Sequence, residues 1–237
     1  MAGIPPQAGS LLIKFMFSDT QLALTDAVEW LGDWHPLAEQ LGSADGLVEL
    51  GSVSSLLDLR PVHDRRSLRK FLVNYQQRIL LPSELPAIET AHGHASRHEV
   101  RELIALDQRL GGEPVLKTFA EPSRRVGQAQ LQKLRPLRDQ RVVQRYLQAV
   151  EGGQAHGWHT LVYGLTLAIY SLPLRQGLLG YAHQTTRGFI YAAAKMLDLS
   201  ERQCREMFDD VCEPLPAAVE TVLGRQVPET SGPTSGN

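Results

Sequence analysis

Apolar residues of this chain recur every three or four positions, the spacing of α-helices, and strand-type alternation is hard to find. The apolar positions of residues 68–79 share one helix face, with Ser67 as the predicted N-cap. A later helix over residues 200–211 has Ser200 in the same role. The same spacing predicts further helices over residues 100–110, 126–134, 142–150, 155–170, 174–197 and 217–223. The predicted fold class is therefore all-α, a single helical domain with short connections.

The helix predicted over residues 155–170 is the most informative of these segments. Both of its faces are apolar after Thr160, so we expect it to be buried on all sides. Gly164 in its middle costs about 1 kcal/mol relative to alanine, which indicates that another helix packs closely there. His156 and His159 stand at its start, either as ligands or as hydrogen-bonded histidines of a helix entrance, and the second interpretation is favoured.

Composition narrows the class of protein. A hydrophobic content of 43% in 237 residues can fill a core and excludes general disorder, while a net charge of −2 gives no global reason to expect nucleic-acid binding. The longest apolar stretch, residues 161–172, is shorter than the roughly 20 residues that a membrane-spanning helix needs. Residues 1–10 show no signal-peptide pattern. Cys204 and Cys212 are too far apart on one helix for a disulfide, so we predict a cytoplasmic protein.

The two ends of the chain differ from its centre. Residues 1–10 are predicted to be a flexible N-terminus, and residues 226–237 a disordered tail rich in Pro, Gly, Ser and Thr. Between them, residues 11–225 are predicted to form the helical domain. The candidate elements in its first part are helices at 11–17 and 22–31 and a loop at 42–55.

Charge is unevenly distributed along the chain. Residues 124–145, the basic segment, contain one acid, Asp139, and the cations Arg124, Arg125, Lys133, Arg135, Arg138, Arg141 and Arg145. Residues 198–220, the acidic segment, carry an excess of Asp and Glu. Two solvated faces of opposite sign are the simplest interpretation, but the basic segment could also bind an acidic partner or the acidic segment of a second copy. It lacks the interleaved aromatic residues of a nucleic-acid stacking surface.

Motifs of the common enzymes are absent from the sequence, which has no P-loop, GxGxxG, GxSxG, HExxH or paired CxxC. If the chain is helical from His94 onward, His94 and His98 share one face and could chelate a borderline metal such as zinc or nickel. A solvated loop leading into a helix is the favoured interpretation of these two histidines, so no metal site is assigned. A helical-bundle enzyme that uses His156, His159 and His183 is a further, less favoured hypothesis.

Several short stretches, taken in order, carry a family resemblance. They are residues 68–75 with Ala91-His92, a Leu-x-x-Leu-Asp-x-x-Leu helix at 103–110, a Ser-x-x-x-Gly-x-x-x-Leu helix at 123–131, a His-x-x-x-x-Gly helix at 159–164, a long helix at 174–197 and a Glu-Pro-Leu turn at 213–215. This series resembles the UreF family of urease accessory proteins, which implies a UreF-like helical bundle.

The chain also departs from the family pattern at three places. The N-terminal Pro-x-Gly-x-Phe-type segment is not found around residues 18–30. Near Thr118 and Ala120 the usual arginine and glutamate are replaced, and Pro122 stands where alanine is usual. The basic, aromatic C-terminal tail is missing from residues 226–237. These departures bear on partner binding more than on the fold, and they allow a UreF-like interaction protein of another pathway.

The resemblance implies a non-enzymatic adaptor in nickel-dependent urease maturation. Family members form a dimer, bind UreD (also called UreH) and recruit the GTPase UreG, so that nickel reaches the urease apoprotein. No cofactor of the chain itself is implied, and no nucleic acid or membrane is expected as a partner. The candidates for the partner surface are Arg124, Arg125, Arg138, His156 and His159. The residues expected to set helix packing are Ser123, Gly127 and Gly164.

Overall fold

The computed structural model describes residue 57, residues 59–194 and residues 196–224. Within these ranges the chain forms helices joined by short connections and contains no strand, so the predicted all-α class is confirmed. Several predicted elements lie outside the described residues, namely the flexible N-terminus at 1–10, the helices at 11–17 and 22–31, the loop at 42–55 and the tail at 226–237.

Every helix predicted between residues 68 and 223 has a counterpart in the described chain. The α-helices are α1 (Arg65–Tyr75), α2 (Leu85–Ser96), α3 (Val100–Gly112), α4 (Ala120–Lys133), α5 (Arg141–Glu151), α6 (His159–Ile169), α7 (Leu174–Ala194), α8 (Glu201–Cys212) and α9 (Leu215–Gly224). A π-helix (Gln76–Glu84) joins α1 to α2, and a 3₁₀-helix (Pro114–Phe119) joins α3 to α4. Parts of the predicted helices lie outside the observed ones, among them residues 155–158 before α6, Leu134 after α4 and Leu197 after α7.

The first described helix begins with a capping box. Asp64 is the N-cap, because its carboxylate accepts a hydrogen bond from the Ser67 amide at 2.7 Å. Ser67 Oγ in turn accepts one from the Asp64 amide at 3.0 Å. The prediction of Ser67 as the N-cap is therefore wrong by one turn, since the helix starts before its first apolar residue.

The helical path continues from α1 through the π-helix into α2, which the sequence pattern did not predict. Pro82, Pro86 and Gly93 favour a loop in this stretch, but the two prolines stand where a helix tolerates them. Pro82 lies in the π-helix, the part of the run that departs from the α-helical hydrogen-bond pattern. Pro86 follows at the junction with α2, directly after Leu85, whose amide still donates to the Leu80 carbonyl in the π-helical pattern.

Helix α6 lies at the centre of the core. It packs on α2 and on α4, and most of its residues are buried while none is exposed. Gly164 faces α2, where an added Cβ would lie 2.4 Å from the carbonyl oxygen of Ile88 and 3.0 Å from the Cβ of Ala91. The backbones of α2 and α6 therefore approach each other at the glycine, which explains why a helix interior carries this residue.

The C-terminal part of the described chain packs around α7, which contacts α8, α9, α1 and α2. Ser200 caps α8 as predicted, since its Oγ accepts from the Gln203 amide and the Gln203 side chain accepts from the Ser200 amide at 2.8 Å. Cys204 and Cys212 on α8 are buried and free, and burial raises the pKa of the Cys212 thiol to about 12. The described residues include no helix with the length and apolar character needed to cross a membrane.

Candidate functional site

The linker between α5 and α6, residues 152–158, is held by a buried carboxylate. Asp107 on α3 is fully buried, and its Oδ1 accepts a hydrogen bond from the His156 amide at 2.6 Å. Its Oδ2 accepts one from the Gly157 amide at 2.9 Å and one from the Tyr146 hydroxyl at 2.6 Å. Burial and the neighbouring carboxylate raise the pKa of the Tyr146 phenol well above its usual value, so the hydroxyl stays a donor. Helices α3 and α5 thereby fix the chain that leads into α6.

Helix α4 fixes the same stretch through Ser123 and Gly127. Ser123 Oγ accepts a hydrogen bond from the His159 amide at 3.2 Å. Gly127 lies so close to the linker that an added Cβ would stand 2.1 Å from the Gly157 carbonyl oxygen and 2.6 Å from the His159 amide nitrogen. We call Asp107, Tyr146, Ser123, Gly127 and the backbone of residues 155–159 the linker node.

Arg124 and His156, two of the predicted partner residues, lie at the edge of the linker node. The guanidinium carbon of Arg124 stands 5.1 Å from the centre of the Trp158 ring, which is a cation–π contact. Trp158 is only 2% exposed. His156 is half-buried and packs on α3, where its Nε2 would lie 3.1 Å from a Cβ added at Gly111. The Arg124 guanidinium and the His156 imidazole therefore lie half-buried beside the linker node.

The other cations of the basic segment are exposed, and they are Arg125, Lys133, Arg135, Arg138, Arg141 and Arg145. Arg135 forms an ion pair with Glu151 at the end of α5. An open groove runs along the outer side of α4, and it is lined by Glu121, Arg124, Arg125, Gln128, Ala129 and Gln132. One side of α4 thus holds the linker node, while its other side contributes to a cationic surface.

Four of the seven carboxylates in the acidic segment pair with arginines of the same chain. Glu206 on α8 pairs with Arg65 of α1 at 3.1 Å. Asp210, one turn later, pairs with Arg69 of α1 at 2.5 Å. Further ion pairs join Glu206 to Arg202, Glu201 to Arg205 and Glu220 to Arg175. Several carboxylates of the acidic segment therefore serve to hold α8 and α9 to the rest of the fold.

His159 is a core residue and does not lie on the partner surface. It is 1% exposed, and its ring centre lies 5.9 Å from that of Tyr181 and 6.3 Å from that of Tyr163. Buried Glu84 accepts a hydrogen bond from Tyr75 at 2.8 Å in the same polar part of the core. Burial and the charge of Glu84 raise the pKa of the Tyr75 and Tyr181 phenols well above the usual value. We therefore correct the assignment of His159 from an interface candidate to a packed histidine.

The proposed face of His94 and His98 does not form. Helix α2 ends at Ser96, and His98 follows it in a tight turn with a φ of 58°. His94 Nδ1 lies 2.8 Å from Glu99 Oε2, so its partner is a carboxylate. The conditional interpretation of one helix through both histidines is wrong, because α2 ends at Ser96 and α3 begins at Val100. The favoured interpretation of a solvated loop is also wrong for His94, which lies in the last turn of α2.

The pKa of Glu99 offers a direct check of this turn. Arg97 donates two hydrogen bonds of 2.8 Å to the Glu99 carboxylate, and together with His94 it lowers the pKa of Glu99 from 4.5 to about 2. A depressed folded-state pKa means that this contribution to stability is complete above pH 4.5 and is lost as the pH falls towards 2. We expect Arg97→Gln to raise the Glu99 pKa towards 4.5, as measured by carboxyl ¹³C NMR titration.

Arg101→Gln is the matched control for this titration, since it removes an exposed arginine that does not contact Glu99. Wild-type protein in which Glu99 titrates near its ordinary value would contradict the geometry of the turn.

The other candidate histidines occupy separate surroundings. His156 packs near Gly111, His159 lies among tyrosines, and His183 packs on Phe208 with ring centres 5.6 Å apart. In the part of the chain that the structure describes, no group of three or more His, Cys, Asp or Glu side chains is placed to hold a metal ion.

Asp107 is the structural residue that sequence reasoning missed. Its position carried a signal, because Leu103 and Leu110 place it on the apolar face of α3 by helical spacing. A carboxylate on such a face needs buried hydrogen-bond donors. The donors themselves come from α5 and the linker, which the local pattern of α3 does not reveal.

Comparison with known proteins agrees with the resemblance seen in the sequence. The urease accessory protein UreF of Actinobacillus pleuropneumoniae is 20% identical over 162 residues, which cover 68% of this chain and 71% of that protein. The protein of the same name from Actinobacillus pleuropneumoniae serotype 3 (strain JL03) matches with the same identity and coverage. The UreF family model matches residues 62–211, more than half of the chain, including the linker node and the basic segment. The chain therefore belongs to the UreF family.

Proposed function

We propose that this chain is a non-catalytic adaptor in nickel-dependent urease maturation, which binds UreD (UreH) and recruits the GTPase UreG to the urease apoprotein. The observation that carries the proposal is the UreF family match over residues 62–211. The similar proteins named above are urease accessory proteins, which supports the same pathway. Nickel is the cargo of the assembled complex in this proposal. A cytoplasmic homodimer is its proposed working form.

We assign partner binding to the outer side of α4 and the turn that follows it. Arg124 and Arg125 line the groove on α4, Arg138 is exposed in the turn before α5, and His156 borders the linker node. Positive surfaces select partners with complementary negative potential. Ser123 and Gln128 of α4 hydrogen-bond to the backbone of the linker, so the cations of α4 sit on a helix that is held to the linker node.

Co-expression tests the proposed function. We expect the tagged chain to retain UreD, and to retain UreG when UreD is present, in affinity purification followed by mass spectrometry. The double variant Arg125→Gln with Arg138→Gln should retain less partner, and the loss should grow as salt is raised, because exposed charge pairs are screened.

A double variant with the same charge change elsewhere, Arg66→Gln with Arg101→Gln, is the matched control, since both residues are exposed outside the basic segment. If the wild-type chain retains neither UreD nor UreG, the urease-maturation proposal is wrong. Reproducible capture of an unrelated complex instead would favour a UreF-like interaction protein of another pathway.

A further inference from the structure

Arg124 differs from the other cations of the basic segment in how it is held. Its guanidinium lies over the Trp158 ring, and its Nε is buried without a hydrogen-bond partner in the described chain. Among the described residues no carboxylate forms an ion pair with it, although Glu121 lines the same groove. Stacking therefore orders this side chain, and no carboxylate of the described residues neutralises its charge.

We propose that Arg124, stacked on Trp158, is the anchor that binds a carboxylate of an acidic partner protein, an inference that rests on the adaptor function proposed above. The planar guanidinium offers a carboxylate two parallel hydrogen bonds. Because the stack already orders the long side chain, binding loses less conformational entropy than it would at a freely moving arginine. Residues of this type, held in packed surroundings, dominate the energetics of protein interfaces.

The charge pattern of the fold favours a partner other than a second copy. In the acidic segment Glu201, Glu206, Asp210 and Glu220 already pair with arginines of their own chain. Without breaking an ion pair of the described chain, a second copy could offer Arg124 only the three remaining carboxylates of this segment, Asp198, Asp209 and Glu213, so a partner with a more acidic surface is favoured.

The same stack disfavours a nucleic acid as the occupant. Single-stranded nucleic acids bind through aromatic side chains that are open to their bases. Trp158 is 2% exposed and lies under Arg124, so its ring is not open to a base. An acidic protein surface is therefore the occupant that the observations favour.

Binding kinetics with a UreD–UreG preparation test the anchor. Arg124→Gln should raise the dissociation rate constant about tenfold or more in biolayer interferometry, because truncating an anchor acts mainly on dissociation. Arg124→Lys keeps the charge but loses the planar fork, and should also dissociate faster than wild type. Arg101→Gln, an exposed arginine outside the groove, should behave as wild type.

Circular dichroism and light scattering accompany each variant, so that folding and oligomeric mass are known. If Arg124→Gln is unfolded, the Arg124→Lys variant decides the outcome. Wild-type binding with dissociation from both Arg124 variants unchanged would overturn the anchor and leave the adaptor function standing. A changed oligomeric mass with unchanged partner dissociation would also overturn it, because Arg124 would then serve contacts between copies. If wild type itself binds neither protein, both the adaptor function and the anchor are wrong.

Discussion

Replacing Gly127 with alanine is expected to destabilise the protein by about 3 kcal/mol or more. The new methyl group would lie 2.1 Å from the Gly157 carbonyl oxygen and 2.6 Å from the His159 amide nitrogen. Both are backbone atoms, so no side chain can turn away to make room. The Ser123 hydrogen bond to the His159 amide would be lost if α4 and the linker moved apart. Urea unfolding followed by circular dichroism measures the change in the free energy of unfolding.

Gly112→Ala is the matched control for this substitution. Gly112 is an exposed helical glycine, and an added Cβ there meets no atom within 4 Å. Alanine should change the free energy of unfolding by no more than about 1 kcal/mol, in the stabilising direction, because it favours the helix. Equal stability of the two variants would show that α4 and the linker are not in close contact at Gly127.

Asp107→Ala is expected to cost about 3 kcal/mol or more of unfolding free energy. The substitution leaves the Tyr146 hydroxyl and the amides of His156 and Gly157 without their acceptor. Each buried donor without a partner costs about 1 to 3 kcal/mol, and a cavity adds to the loss. Urea unfolding measures the total. Hydrogen exchange at the two linker amides should accelerate more than exchange in α2.

Two further variants separate the hydrogen bonds from a general loss of charge. Tyr146→Phe removes one of the three donors and should destabilise less than Asp107→Ala. Asp139→Ala, at an exposed acid in the turn before α5, should have an effect within about 0.5 kcal/mol. If Asp107→Ala were as stable as Asp139→Ala, the buried carboxylate would not hold the linker.

Several parts of the fold could be read from the sequence because they depend on neighbouring residues. The periodic apolar positions of α5 and the Ser200 cap of α8 each lie within one helix. The close contact with another helix expected at Gly164 followed from the free energy that glycine costs in a helix interior. Helix α2 was missed because Pro82 and Pro86 normally interrupt helices, and only the π-helical pattern that extends to Leu85 accommodates them.

The candidate site was only partly predictable, because its contacts join residues that are far apart along the chain. The sequence indicated a basic segment and named Arg124, but it treated Arg124, Arg125 and Arg138 alike. Stacking on Trp158 separates Arg124 from the other two, and the two residues are far apart along the chain. His159 was placed at an interface because it opens a helix, whereas Tyr163 and Tyr181 enclose it in the core.

By itself, the sequence determined the all-α class, the order of the helices other than α2 and the family resemblance, since hydrophobic spacing and short motifs act over a few residues. The tertiary structure alone decided that Asp107 holds the linker, that Gly127 presses on its backbone and that carboxylates of the acidic segment pair with arginines of the same chain. These features join groups from different helices at distances of a few ångströms. Hydrogen bonds, ion pairs and steric contacts act only at such distances, so the packing of the helices had to be known first.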